Sequence, residues 1–176
     1  MVYPIFIAVL QGPFRIRRRF GRAVLVFASA CITTMGADPP LTPMGVCEVL
    51  RDIAAVEGKD VAVVGRYSFR ADGRWLAEQA CDAPAATPPE LWLVEDATQA
   101  PKPPEHFDID GVVLHKKLTE IERHTTLGKF RFGTPDYDRW AVVYGRVESR
   151  KGEAAKKAPA NLLFRGSGVV VFLTPE

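Results

Sequence analysis

Signatures of catalysis and of metal binding are missing from this sequence. It contains no G-x-S-x-G nucleophile elbow, no P-loop and no glycine-rich dinucleotide fingerprint. Gly166-Ser167-Gly168 reads as a flexible step within a strand rather than as a seat for a nucleophilic serine. Three cysteines and three histidines are all the chain has, and no C-x-x-C is among them. His106, His115 and His124 recur every nine residues, which on a helix turns the last two to opposite sides, so they read as surface histidines. Glu120 and His124 share a helical face four residues apart, yet two ligands do not close a zinc site. Asp108-Ile109-Asp110-Gly111 opens like a calcium loop but lacks the later glutamate, leaving a helix-entry turn as its meaning. No apolar run approaches the ~20 residues that a membrane-spanning helix needs. These absences leave no cofactor to expect, and they place a hydrolase third among the functional readings.

What is present begins with an uneven distribution of charge. Five of the 23 basic residues (Arg15, Arg17, Arg18, Arg19 and Arg22) precede Ala23, and no acid precedes Asp38. The apolar run from Ala23 to Ile32 follows them, so residues 1–37 read as an export leader. Ala28-Ser29-Ala30-Cys31 resembles a bacterial lipobox with Cys31 as the acylated residue, which would give the protein a membrane anchor. Ordinary cleavage near Gly36 or Ala37 is the rival, and a cytoplasmic protein with a buried N-terminal helix is the alternative to export. From Asp38 onward, 18 basic residues face 21 acidic ones, so the remaining chain is mildly acidic. With Cys31 lipidated or removed, Cys47 and Cys81 remain as a pair that an oxidising compartment would join. Closing that loop is worth about 3–4 kcal/mol in the chain-entropy picture; the alternative is two separate buried thiols.

The 176 residues, 47% of them apolar, suit one domain over 44–176, joined to the leader by a linker at 38–43. Thr42 and Pro43 suit a helix start, Val46, Leu50, Ile53 and Ala54 share a face, and Gly58 suits a left-handed stop. Strands are expected over Asp60–Tyr67, Trp75–Glu78, Leu91–Val94, Trp140–Val147 and Leu162–Leu173. Gly65 and Gly145 are expected at bends, and Ala71-Asp72-Gly73 at a hairpin turn. A second helix, through Leu114, Leu118 and Ile121, falls between the third and fourth strands and stops at Gly128. Lys151–Ala160 reads as a polar loop.

This order matches a mainly β fold, a five-stranded Greek-key barrel of OB type with an N-terminal helix, against a small α+β roll or a β-sandwich. Cys47 to Tyr67 (CEVLRDIAAVEGKDVAVVGRY) resembles uncharacterised exported bacterial OB-fold-like proteins and, loosely, the bacterial tRNA-anticodon-binding class of OB domains. The resemblance implies the barrel and assigns no catalytic residue.

The first functional expectation is therefore a non-enzymatic, exported binding or assembly module of the bacterial envelope, with an envelope protein or ligand as partner. The second is a binder of single-stranded nucleic acid or oligosaccharide through a basic-aromatic surface built from Arg66, Tyr67, Arg74, Trp75, Trp92 and Arg146. Lys129–Arg165, with nine basic against four acidic residues, adds a basic stripe to that expectation, while the acidic balance beyond residue 38 weakens nucleic acid as the partner.

Overall fold

The computed structural model describes residues 39–82, 89–128 and 137–172. The leader, Cys31 and its cleavage points lie outside them. The elements in chain order are β1 (Met44–Gly45), α1 (Val46–Arg51), α2 (Ile53–Val56), β2 (Asp60–Arg70), β3 (Gly73–Ala77), β4 (Glu90–Glu95), α3 (Gly111–Glu122), β5 (Tyr137–Ser149), α4 (Glu153–Lys157) and β6 (Ala160–Phe172). The strands run β1-β2-β3-β4-β6-β5, and β2 pairs again with β5, closing a five-stranded barrel from β2 to β6. Only β4 and β6 are parallel within that ring; β2–β3, β3–β4, β5–β6 and β2–β5 are antiparallel. The chain is thus an OB-like barrel, with α3 between its third and fourth strands.

Strand alternation builds the interior. Along β2 and β5, ten residue pairs run without interruption from Asp60↔Arg146 to Phe69↔Tyr137. Val63, Tyr67, Ala141, Val143 and Val147 turn inward and join Leu76, Leu91, Leu93, Leu162 and Phe164. Val46, Val49 and Leu50 of α1 pack into the same cluster as its plug. Ala62, Val64, Trp140 and Val142 turn outward, where α3 covers them with Ile121, Leu114 and Leu118. Both faces of these two strands are therefore dry, which explains their nearly unbroken apolar runs.

Several local expectations change. The N-terminal helix starts at Val46 rather than at Pro43, because Met44–Gly45 pairs in parallel with β2 first. It is also split: Asp52 ends α1 and caps α2, accepting the Ala55 N–H at 3.0 Å. Gly58 does take the left-handed conformation, with φ +73°. Gly65 lies at no bend. It faces the α1 plug, and a Cβ there would stand 2.9 Å from Val46 Cγ2 and 3.2 Å from the Ala77 carbonyl oxygen, so what it provides is close approach. The bend expected at Gly145 and at the Gly166-Ser167-Gly168 step is there: Arg165 to Gly168 all lie between the pairs Gly145↔Phe164 and Val143↔Val169 and face Tyr144 alone. The polar loop before β6 contains α4, and α3 ends at Glu122, six residues before Gly128. Leu41, expected in a linker, bridges to Ile109 and exchanges backbone hydrogen bonds with Asp108 (2.8 Å) and Asp110 (2.9 Å).

Candidate functional site

Among the described residues, the outer surface of β3 and β4 receives no helix like α3. Leu76, Leu91 and Leu93 point into the barrel, so Trp75 and Trp92 between them point out. They are direct cross-strand partners, with ring centroids 6.0 Å apart and planes inclined by 18°. The row continues on either side to Ser68 of β2 and Asn161 of β6. Gly73 makes room for the platform: a Cβ there would stand 2.5 Å from Trp92 Cη2, so the indole lies directly on the hairpin turn. The Arg70 guanidinium carbon sits 5.7 Å from the Trp75 ring centre and that of Arg150 5.6 Å from Trp92, both cation–π distances.

The connection between β5 and β6 bends over this platform. Its short helix α4 brings Lys156 and Lys157 to a trough of about 330 Å³ shared with Asp72, Trp75, Glu90 and Trp92. Lys156 is paired with Glu153 at 2.6 Å, but both side chains are mostly in solvent, where such a pair holds weakly. Burial pushes the Glu90 carboxyl above its ordinary range; Arg66 and Arg70 oppose the shift and Asp72 adds to it. Arg150 has a buried Nη1 with no acceptor among the described residues. The trough thus combines two stacked indoles, cations at its rim and two carboxyls.

The structure divides the six residues expected to form a basic-aromatic surface. Trp75 and Trp92 come together as described. Tyr67 is 5% exposed and belongs to the barrel interior, because it alternates with Ser68 and Arg66. Arg66 lies on the outer face of β2, its Nη1 donating to the Thr126 carbonyl at 3.1 Å. Arg74 closes one mouth of the barrel, over Phe69 and Phe164 at 5.5 and 5.9 Å and bonded to Glu95 at 2.9 Å. Arg146 makes a forked pair with Asp60 at 2.8 and 3.2 Å, at the opposite end of β2 from the hairpin. Sequence reasoning missed Arg150, Glu90, Lys156 and Lys157. The available signal was topological: in an OB barrel the turn after the first strand and the loop before the last converge on the second and third strands.

A second recess, of about 400 Å³, lies where α1, the end of β3 and α3 meet. Cys47 and Cys81 are joined there by a disulfide, with Cα atoms 5.4 Å apart, as their pairing in the sequence leads one to expect. Beside it Glu78 is 5% exposed; one carboxylate oxygen accepts the Cys47 N–H at 3.0 Å and the other meets His124 Nε2 at 3.0 Å. His124 is therefore a partner of a buried acid, whereas His106 and His115 are exposed. Lys117 pairs with Glu48 across the same recess. Through the disulfide and the Glu78–His124 and Lys117–Glu48 pairs, this recess fastens α1, β3 and α3 together. Among the described residues no three metal-ligating side chains come together, and no helix is long and apolar enough to cross a membrane.

No known family model, curated protein or solved structure matches the chain.

Proposed function

We propose that this protein is a non-enzymatic, exported binding module of the bacterial envelope, and that it takes its ligand on the outer face of β3 and β4. The observation that carries this reading is the Trp75–Trp92 pair, stacked on the barrel surface in a trough that α4 walls on one side. The Cys47–Cys81 disulfide supports an oxidising compartment, and the arginine-rich, acid-free leader supports export. Single-stranded nucleic acid is the weaker occupant. Acids outnumber bases 21 to 18 from Asp38 onward, and Asp72 and Glu90 stand in the trough itself.

Trp75 and Trp92 supply two of the three tryptophans, and the third, Trp140, is 4% exposed beneath α3. Intrinsic fluorescence therefore reads the proposed site against an internal buried reference. Titration with neutral and acidic oligosaccharides and with oligothymidylate should change the emission with at least one probe, and Trp92→Ala should abolish that change together with calorimetric binding. Undiminished calorimetric binding by Trp92→Ala would remove the face from consideration. Cell fractionation with mass measurement of the mature protein tests export and acylation at Cys31, and an unprocessed cytoplasmic chain would refute both.

A further inference from the structure

We infer that Asp72 is a site of spontaneous covalent modification, at which the hairpin tip passes through a succinimide to isoaspartate. The chain holds two Asp-Gly steps, Asp72-Gly73 and Asp110-Gly111. Glycine favours the reaction because it has no Cβ to shield the attacking nitrogen or to restrict the torsions that ring closure needs. In the first step the Gly73 backbone nitrogen bonds to Asp72 Cγ, and its proton leaves with the hydroxyl of the carboxylic acid as water. Water then opens the succinimide. Breaking the bond from the nitrogen to Cγ restores aspartate. Breaking the bond to the Asp72 main-chain carbonyl carbon instead leaves the chain running through Cβ and Cγ, with a free α-carboxylate. The water lost is regained, so mass and charge are unchanged, and solvent is the only co-reactant.

The sequence makes the two steps equivalent, and the fold separates them. Asp110 is fastened in place: its Oδ1 accepts the N–H groups of Val112 and Val113 at 3.0 Å each, as the cap of α3. Its own N–H donates to the Leu41 carbonyl at 2.9 Å, and its carbonyl accepts the Leu114 N–H at 2.8 Å. Turning that carboxyl onto Gly111 would break the cap and twist the first turn of the helix. Asp72 has none of these restraints. It lies exposed in the Ala71-Asp72 turn, and its carboxyl has no hydrogen-bond or ion-pair partner among the described residues. Arg70↔Gly73 is the last rung of the β2–β3 ladder, so freeing the Gly73 nitrogen opens the end of the ladder and not its middle. The product lengthens the turn by a methylene where packing is tight. Because a Cβ on Gly73 would stand 2.5 Å from Trp92 Cη2, the indole rests on that glycine and shifts with it. Isoaspartate at position 72 therefore disturbs the Trp75–Trp92 pair and leaves Trp140, beneath α3, as it was.

The test ages the full chain, disulfide intact, in warm, mildly acidic buffer beside a sample unfolded in urea and reduced. Peptide mapping with electron-transfer fragmentation, which separates isoaspartate from aspartate at equal mass, follows the product at each step. In the folded chain Asp72 should isomerise at least about tenfold faster than Asp110, the difference that breaking the capping hydrogen bonds imposes. In the unfolded chain the two rates should converge. Folded Asp72→Glu should give no measurable product at that position, because glutamate closes a larger ring that forms far more slowly. The aged parent should develop an altered tryptophan emission that Asp72→Glu does not. Equal rates at the two steps in the folded chain, or no product at Asp72 until the chain is unfolded, would overturn the inference. A tenfold gap that persists in urea would overturn the role given to the fold. Isomerised Asp72 with unchanged emission would overturn the effect on the tryptophan pair.

Discussion

Two halves of one barrel wall meet solvent differently. Outside β2 and β5, Ala62, Val64, Trp140 and Val142 are at most 4% exposed because α3 and the segments flanking it lie over them. Outside β3 and β4, two tryptophans and the residues around them stay partly open, with arginines laid over the rings. The strands are paired with their neighbours in both places, so pairing alone does not decide the matter. What decides it is the residue set on the outward positions. An apolar outward row obliges the chain to supply a cover, whereas an aromatic row fringed with charge tolerates water.

The strongest way to break this comparison is to disturb the interior that both halves share. Val63→Asp places a carboxylate at a fully buried position with no partner and should cost more than about 4 kcal/mol, abolishing the cooperative transition in urea. Removing the disulfide with Cys47→Ala and Cys81→Ala should cost about 3 kcal/mol, since it frees a closed loop spanning 34 residues. The contrast itself is sharpened by Ile121→Ala under α3, expected to cost about 2–4 kcal/mol, against Trp92→Ala on the open face. The open-face variant should lose less stability although it removes the larger side chain, and a greater loss there would make the tryptophans part of the core. Arg146→Gln should be the smallest change, below about 1 kcal/mol, because its pair with Asp60 is solvent-accessible.

Acidity offers a further discrimination. Burial pushes the Glu48 carboxyl upward, but the hydrogen bond from Lys117, the Gly45 N–H and the nearby charges of Lys117 and Arg51 carry it below the ordinary glutamate range. A carboxyl lowered in the folded state lends stability above its unfolded pKa and loses it as pH falls through the folded one. Chemical-denaturation midpoints should therefore decline on acidification through and below the usual glutamate range, and Glu48→Gln should flatten part of that decline. Glu90 has the opposite sign: raised by burial, it favours the folded state when protonated, and that contribution is lost as pH rises through its folded pKa. Glu90→Gln should therefore remove a small loss of stability on the alkaline side of the glutamate range.

Sequence reading reached the barrel because its evidence is local. The alternation of Val61 and Val63 against Ala62 and Val64 and the Ala71-Asp72 turn lie within a few residues of each other, and the β2–β5 pairing follows from two matched apolar runs. The cysteine pair was legible for a different reason, since it was what remained once Cys31 was assigned to the leader. The site was half legible. Trp75 and Trp92 stood out as candidates for a basic-aromatic surface, but β3 and β4 had first to be aligned before they became neighbours. Tyr67 misled because its side faces inward, which a Tyr interleaved with arginines does not disclose. Lys156 and Lys157 lay in a stretch that reads as a polar loop, with Arg150 just before it, and α4 is too short for periodicity to reveal. Only ring closure carries that loop to the second and third barrel strands.

The bond between Cys47 and Cys81 also changes what it means to cut this chain. Its covalent ring contains α2, β2 and β3, and so every residue of the Ala71-Asp72 turn, the exposed tip nearest the tryptophan trough. A protease that severs the turn converts the ring into two arms joined through sulfur and releases no peptide until a reductant acts. Under the proposed export, the hairpin would then survive a single cut as a nicked but tethered surface. The same cut in a reduced sample would separate the halves on a gel.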